Sequence, residues 1–241
     1  VPGTGFALFN TSDREIIMVD QAQKRLKEEF QTKEKAGRIR QHNEAVILGA
    51  AEIEFAQHGF KGTSLNAIAE RAGLPKSNIL YYFQSKIGLY GAVLSDILDM
   101  WNQAFNTTTA DEDPSATIFA YIRSKIRYSS SHPLASKIFA IEIIQGAPHL
   151  KKYLAQEMHH WALGRTQVIQ AWIDAGKMDP IDPLHLMFMI WGSTQHYADF
   201  ATQIEWALDS DGLTEADFES AERTVTHVIL KGIGLQVPQD G

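Results

Sequence analysis

Thr63 to Lys86 reads TSLNAIAERAGLPKSNILYYFQSK, and this stretch decides the fold. A short helix over Leu65 to Arg71 stops at Ala72-Gly73-Leu74-Pro75, and a second short helix follows from Lys76 to Tyr82. Gly73 suits the left-handed cap that closes a helix. Pro75 stands where a new helix begins and a missing N–H costs nothing. Thr63 is the expected N-cap of the first helix. Two short helices joined by a tight glycine-containing turn make a helix-turn-helix, whose second helix lies in the major groove of DNA. An ordinary helical hairpin has the same outline. The polar Lys76, Ser77 and Asn78 at the leading end of the second helix, where base edges would be met, favour the DNA-reading unit.

The pattern to either side is helical. Ile47, Ala50, Ala51 and Phe55 fall at helical spacing between Arg38 and His58, with Gly59 to end that helix. Phe55, Leu65, Ile68, Ala69 and Ile79 should form the small core beneath the helix-turn-helix. A longer helix is expected from Ser85 to Phe105, with Leu89, Val93, Leu94, Ile97, Leu98 and Trp101 as its apolar positions. It starts at the DNA end and finishes in the body, which makes it a lever between them. After the polar break Thr107 to Pro114, helices are expected at about 115–131, 133–145, 150–175, 181–206 and 215–233. No period-two strand pattern and no repeat of 20–50 residues occurs. The chain therefore reads as all-α, with about nine helices. Residues 1–37 form an N-terminal extension or arm, 38–84 a helix-turn-helix DNA-binding domain, and 85–241 a ligand-binding and dimerisation domain. Lys33, Lys35, Arg38 and Arg40 stand where such an arm could meet a groove or backbone. A solvated leader would have the same composition.

Composition sets limits. With 241 residues, 44% of them hydrophobic, the chain can bury a substantial core. It has no run of about 18 apolar residues, so no membrane partner is expected. VPGTGFALFN lacks the basic start and apolar core of a signal peptide, so a cytoplasmic protein is expected. The absence of cysteine excludes disulfides, thiolate metal sites and cysteine nucleophiles. The net charge of −7 is unevenly spread: residues 1–86 hold twelve Lys/Arg against ten Asp/Glu, whereas 87–241 hold ten against nineteen. Phosphate binding needs local positive charge, not a basic protein overall.

Ile47 through Phe55, Gly59-Phe60, Thr63, Ile68-Ala69, Ala72-Gly73, Leu80-Tyr81-Tyr82-Phe83 and Lys86 together resemble the N-terminal domain of TetR-family transcriptional repressors. Further along, His132-Pro133-Leu134-Ala135-Ser136, Glu142, Gly146-Ala147-Pro148 and Asp179 to Phe200 (DPIDPLHLMFMIWGSTQHYADF) look like the pyrimidine-utilisation regulators of that family. The two likenesses cover roughly Arg38 to Gly234. They imply a homodimer bound to a palindromic double-stranded operator and released by a small-molecule effector, uracil or thymine. By resemblance the last two long helices, near Leu184 to Trp206 and Asp217 to Leu230, pair with their two-fold mates. Tyr82 and Lys86 match positions that touch phosphate, and Thr63 could donate to phosphate at its helix start. Leu80 departs from the tyrosine common in the family, and Tyr81 is expected to be partly core.

Leu186 to Trp191 is apolar all the way round, so that helix has no face for water. It then turns polar through Ser193, Thr194, Gln195 and His196. Buried aromatic and amide groups side by side suit a flat heterocycle: tryptophan offers a stacking face, and glutamine offers an acceptor and a donor to an imide edge. By resemblance Trp191, Thr194 and Gln195 line the effector pocket, with Trp101 as its other wall. A purine base or another small amide metabolite would satisfy the same groups. No catalytic residues, metal ligands or cofactors are expected, since the sequence has no G-x-S-x-G, H-E-x-x-H, phosphate loop or G-x-G-x-x-G motif. His159-His160 with Glu157, and His185 with His196, lack metal-ligand geometry. A helical adaptor without specific DNA recognition is the remaining alternative from another class.

Overall fold

The computed structural model describes the backbone of residues 11–149 and 151–238, and the side chains of these residues apart from 11–36 and 152–154. Ten helices and no strands occur among the described residues. Helix α1 is Thr11–Gly62, with a break at Gly59 (φ 64°, ψ 176°) after which less than one turn follows. The expected N-terminal arm over 1–37 falls largely outside the described residues: nothing is described of 1–10, and only the backbone, helical within α1, of 11–36.

Helices α2 (Leu65–Ala72) and α3 (Lys76–Phe83) lie within a residue of their expected bounds. Gly73 adopts the left-handed cap (φ 62°, ψ 25°), and its N–H returns to the Ala69 and Glu70 carbonyls. The N-cap of α2 is Ser64, not Thr63: the Ser64 hydroxyl accepts from Ala67 N at 3.1 Å. Thr63 is displaced from that role because its hydroxyl is turned inward, donating to Glu54 O (2.9 Å) and Gly59 O (2.8 Å) with the residue 3% exposed. Phe55, Ile68, Ala69 and Ile79 are buried as expected.

Between α3 and α4 (Lys86–Asn106) the chain turns at Gln84 (φ 64°, ψ −39°), bringing Ser85 N to Phe83 O at 2.7 Å. This is a γ-turn of the strained positive-φ kind. Ser85 then caps α4 through Gly88 N. The turn is so tight that a Cβ at Gly88 would stand 2.3 Å from Phe83 O, which only a glycine avoids.

The body is built around α5 (Pro114–Ser131). Its residues Ile118, Tyr121, Ile122 and Ile126 are buried in one core with Trp172 of α7 (Lys151–Asp174), Met187 and Ile190 of α8 (Pro183–Asp199), and Leu230 of α10 (Glu215–Gly232). Helix α6 (Pro133–Ile144) packs beside α4 and α8. The single helix expected over 181–206 is two, which raises the count from nine to ten. The backbone leaves helical values at Phe200 (φ −118°, ψ 28°), and α9 (Ala201–Leu208) starts in a new direction. At the break, Phe200 stacks on His196, and the Asp199 carboxylate is held by the Ser136 hydroxyl.

Gly88→Ala should force Phe83 and α3 away from α4, lowering the melting temperature by an amount equivalent to about 1–3 kcal/mol and weakening operator binding. Thermal denaturation checks this, and an unchanged midpoint would refute the close approach at Gly88.

Candidate DNA interface and effector cavity

On α3 the leading residues Lys76 and Ser77 are exposed, and Asn78 is half-buried. Tyr81 is 74% exposed, contrary to the expected partly core position. Four residues beyond Ser77, it lies on the same helix face and extends the surface on which Ser77 stands. Its ring meets that of half-buried Tyr82 edge to face at 5.1 Å. Leu80 is 41% exposed.

Lys86 is placed differently from a freely projecting phosphate ligand. Its ammonium donates to Phe60 O at 2.7 Å and Thr63 O at 2.9 Å, and lies 4.5 Å from the Phe60 ring centroid. It thereby fastens the first turn of α4 to the end of α1 and the approach to α2. Phe60 also meets His149 at 4.0 Å. His149 is held through its N–H and Nδ1, both 2.9 Å from the buried Glu142 carboxylate, which accepts Tyr90 OH at 3.2 Å as well. Burial and this carboxylate push the Tyr90 phenol above its ordinary value.

A cavity lies among α4, α5, α6, α7 and α8. Trp101, Phe139, Trp161 and Trp191 form its aromatic walls, and Asn102, Lys125 and Gln195 are its polar residues. Trp101 meets Phe139 edge to face at 5.0 Å, and Trp161 lies 6.1 Å from Trp191. Trp191 Nε1 donates to Tyr121 OH at 2.9 Å, which fixes the indole plane. Burial pushes the Tyr121 phenol upward. Three of the four residues expected at a pocket, Trp101, Trp191 and Gln195, thus share this cavity.

Thr194 does not join them. It is fully buried, its hydroxyl donates to Ile190 O at 2.7 Å, and its carbonyl accepts from Ser129 Oγ at 2.9 Å. One residue from Gln195 on a helix is a rotation of about 100°, enough to leave the cavity wall. The sequence reading missed Lys125, Trp161, Phe139 and Asn102. Lys125 had a signal: it interrupts the stripe Ile118, Tyr121, Ile122, Ile126 on the inner face of α5.

Residues 47–93 match the family profile of bacterial regulatory proteins of the TetR type, and residues 94–236 match the C-terminal region of YcdC-like proteins. The HTH-type transcriptional regulator RutR of Escherichia coli (strain K12) is 44% identical over 187 residues, 78% of this chain and 88% of that protein. The chain belongs to the TetR family.

A regulator BetI from Paraburkholderia phymatum is 28% identical over 133 residues, 54% of this chain and 61% of that protein. Among solved structures, AibR in complex with isovaleryl coenzyme A and operator DNA superposes with a TM-score of 0.60 at 17% identity, covering 82% of this chain and all of that one. SCO4942 of Streptomyces coelicolor gives 0.63 at 19%, covering 80% and 98%. These two likenesses establish the all-α fold. The protein is a ligand-responsive, RutR-like transcriptional regulator and not an enzyme. TetR-family regulators bind operator DNA and small-molecule effectors and act as dimers, which removes the adaptor alternative. No helix among the described residues is long and apolar enough to cross a membrane.

Lys86→Met should leave two carbonyls without their charged donor and lower stability by about 1.5–3 kcal/mol. A tether predicts an unchanged salt dependence of operator binding, whereas loss of a phosphate contact reduces the log–log slope by about one. Binding titrations at several salt concentrations separate the two.

Proposed function

We propose that this TetR-family protein is a cytoplasmic repressor of nucleobase metabolism that leaves its operator when uracil or thymine enters the cavity. The observation that carries the reading is the meeting of Trp101, Trp191 and Gln195 around one cavity, with no hydrogen bond from another described residue to the Gln195 amide. A flat base can stack between indoles while its imide edge pairs with an amide that offers both a donor and an acceptor. An oxo purine offers the same stacking face and imide edge, so a purine is the second reading.

Residues 38–84 form the DNA-reading part in this proposal, and 85–241 the effector-binding and dimerisation part. Lys76, Ser77 and Asn78 read base edges, while Tyr82 and Tyr81 border the phosphate backbone. Two recognition helices, one from each protomer, meet successive major grooves about 34–36 Å apart.

Helix α4 carries the signal. Its first turn is fastened to the helix-turn-helix by Lys86, and about 22 Å further on Trp101 forms a wall of the cavity. A second connection runs along α6, where Phe139 borders the cavity and Glu142, one turn later, holds His149 against Phe60. The effector weakens DNA binding only to the extent that it binds the DNA-incompetent arrangement more tightly, on the order of 1–3 kcal/mol.

Calorimetric titration with uracil, thymine and purine bases tests the assignment. Micromolar binding of a pyrimidine should fall roughly tenfold or more in Gln195→Ala, which should remain on its operator in the presence of the base. Asn78→Ala should keep effector affinity and lose about 1–3 kcal/mol of specific operator binding. Saturable binding of a purine alone would move the regulator to another pathway.

A further inference from the structure

Lys125 is 3% exposed and lines the effector cavity, yet among the described residues it has no hydrogen-bond acceptor and no ion pair. Its ammonium lies 4.3 Å from the centroid of the Trp101 ring. The carboxylate of Asp199 acts on it only from a distance and is itself bonded to the Ser136 hydroxyl. His196 and Lys137 also act on Asp199 through space. The cavity lining contains no carboxylate. An ammonium carries three donors and no acceptor, and here only the Trp101 ring faces it, so its N–H donors stand open toward the cavity. A lysine so placed is poorly explained by the stability of the ligand-free protein and well explained by an acceptor that arrives with the ligand.

Building on the proposal of a flat-base effector, we propose that Lys125 determines specificity in the cavity. Its ammonium donates to an exocyclic oxygen of the bound heterocycle, so the cavity takes oxo bases and rejects bases with an amino group at that position. An amino group would set donor against donor. Sites built to hydrogen-bond one group reject the analogue lacking it far more strongly than apolar pockets discriminate by shape. Gln195 can rotate its amide to suit either edge, whereas an ammonium cannot become an acceptor.

Burial pushes the Lys125 ammonium down to about 7, with Asp199 opposing the shift. An oxygen acceptor restores preference for the charged form, so binding takes up a proton near and above neutral pH. Above pH 7 the protonated fraction of the free protein falls, and affinity should fall with it by about tenfold per pH unit.

The test uses two pairs of bases, uracil with cytosine and hypoxanthine with adenine, titrated calorimetrically into the full-length protein. The wild type should prefer the oxo member of at least one pair by roughly 100-fold or more. Lys125→Met should abolish that preference and the pH dependence, and should raise the melting temperature of the ligand-free protein. Lys125→Gln, which can donate without charge, should recover part of the affinity while binding becomes independent of pH. Discrimination only within the purine pair would uphold Lys125 and refute the pyrimidine reading. Equal affinities within both pairs, or no binding in either, would overturn the assignment. Undiminished oxo-base affinity in Lys125→Met would overturn it too. A lower melting temperature for Lys125→Met would do the same, since it would mark the lysine as a structural partner.

Discussion

The ammonium of Lys86, bonded to the carbonyls of Phe60 and Thr63, is the constraint on which the rest of the structure depends. Helix ends leave carbonyls without partners, and here the end of one helix and the approach to the next are satisfied by a side chain from a third. The bond makes α4 continuous with the DNA-reading part in a mechanical sense. The γ-turn at Gln84 and the close approach at Gly88 shorten the link further, so little slack remains between α3 and α4. This short link supports the proposal that a shift at the far end of α4 is transmitted instead of being absorbed by a loop.

The cavity end of α4 obeys the opposite logic. The walls are aromatic, yet Gln195 and Lys125 leave polar groups unmatched between them. A well-packed apolar wall would be more stable, and binding sites commonly hold such unmet groups at the expense of stability. Trp191 shows the contrasting arrangement, since its Nε1 already has Tyr121 OH as acceptor and only its ring face is left for a ligand. The cavity thus separates shape, supplied by fixed rings, from chemical choice, supplied by the polar groups that still lack partners.

The helix-turn-helix was legible because its signals are local. Gly73, Pro75 and the periodic Ile68, Ala69 and Ile79 each report backbone or burial within a few residues. Thr63 and Ser64 show the resolution limit: both can cap a helix, and only the tertiary bonds from Thr63 to Glu54 O and Gly59 O decide which one does. The cavity was legible through Trp101, Trp191 and Gln195, but not through Thr194, which one residue's rotation of about 100° on α8 turns into the core. Trp161 and Phe139 could not be assigned from pattern alone, because a tryptophan or phenylalanine on an amphipathic helix looks the same whether it faces a cavity or a packed neighbour. Lys125 was readable in principle, as a charge on the inner stripe of α5. Its significance depends on knowing that no described acceptor lies beside it.

Helix α8 supports the proposal that α4, and not the cavity's other wall, is the element that responds. Its inner face is braced along its length: Trp191 by Tyr121, the Thr194 carbonyl by Ser129, and Asp199 by Ser136. Its outer face carries Leu184, Phe188 and Met189, which are 39–55% exposed in the single chain, and α10 adds Val228 at 59%. In the proposed dimer this apolar outer face is the one closed by the second protomer. A helix packed on both sides lacks room to move. The α4 wall differs, because Asp96, Asp99 and Gln103 on its outer side face water. In the proposed mechanism, displacement by a ligand follows the softer side, along the helix that Lys86 couples to the helix-turn-helix.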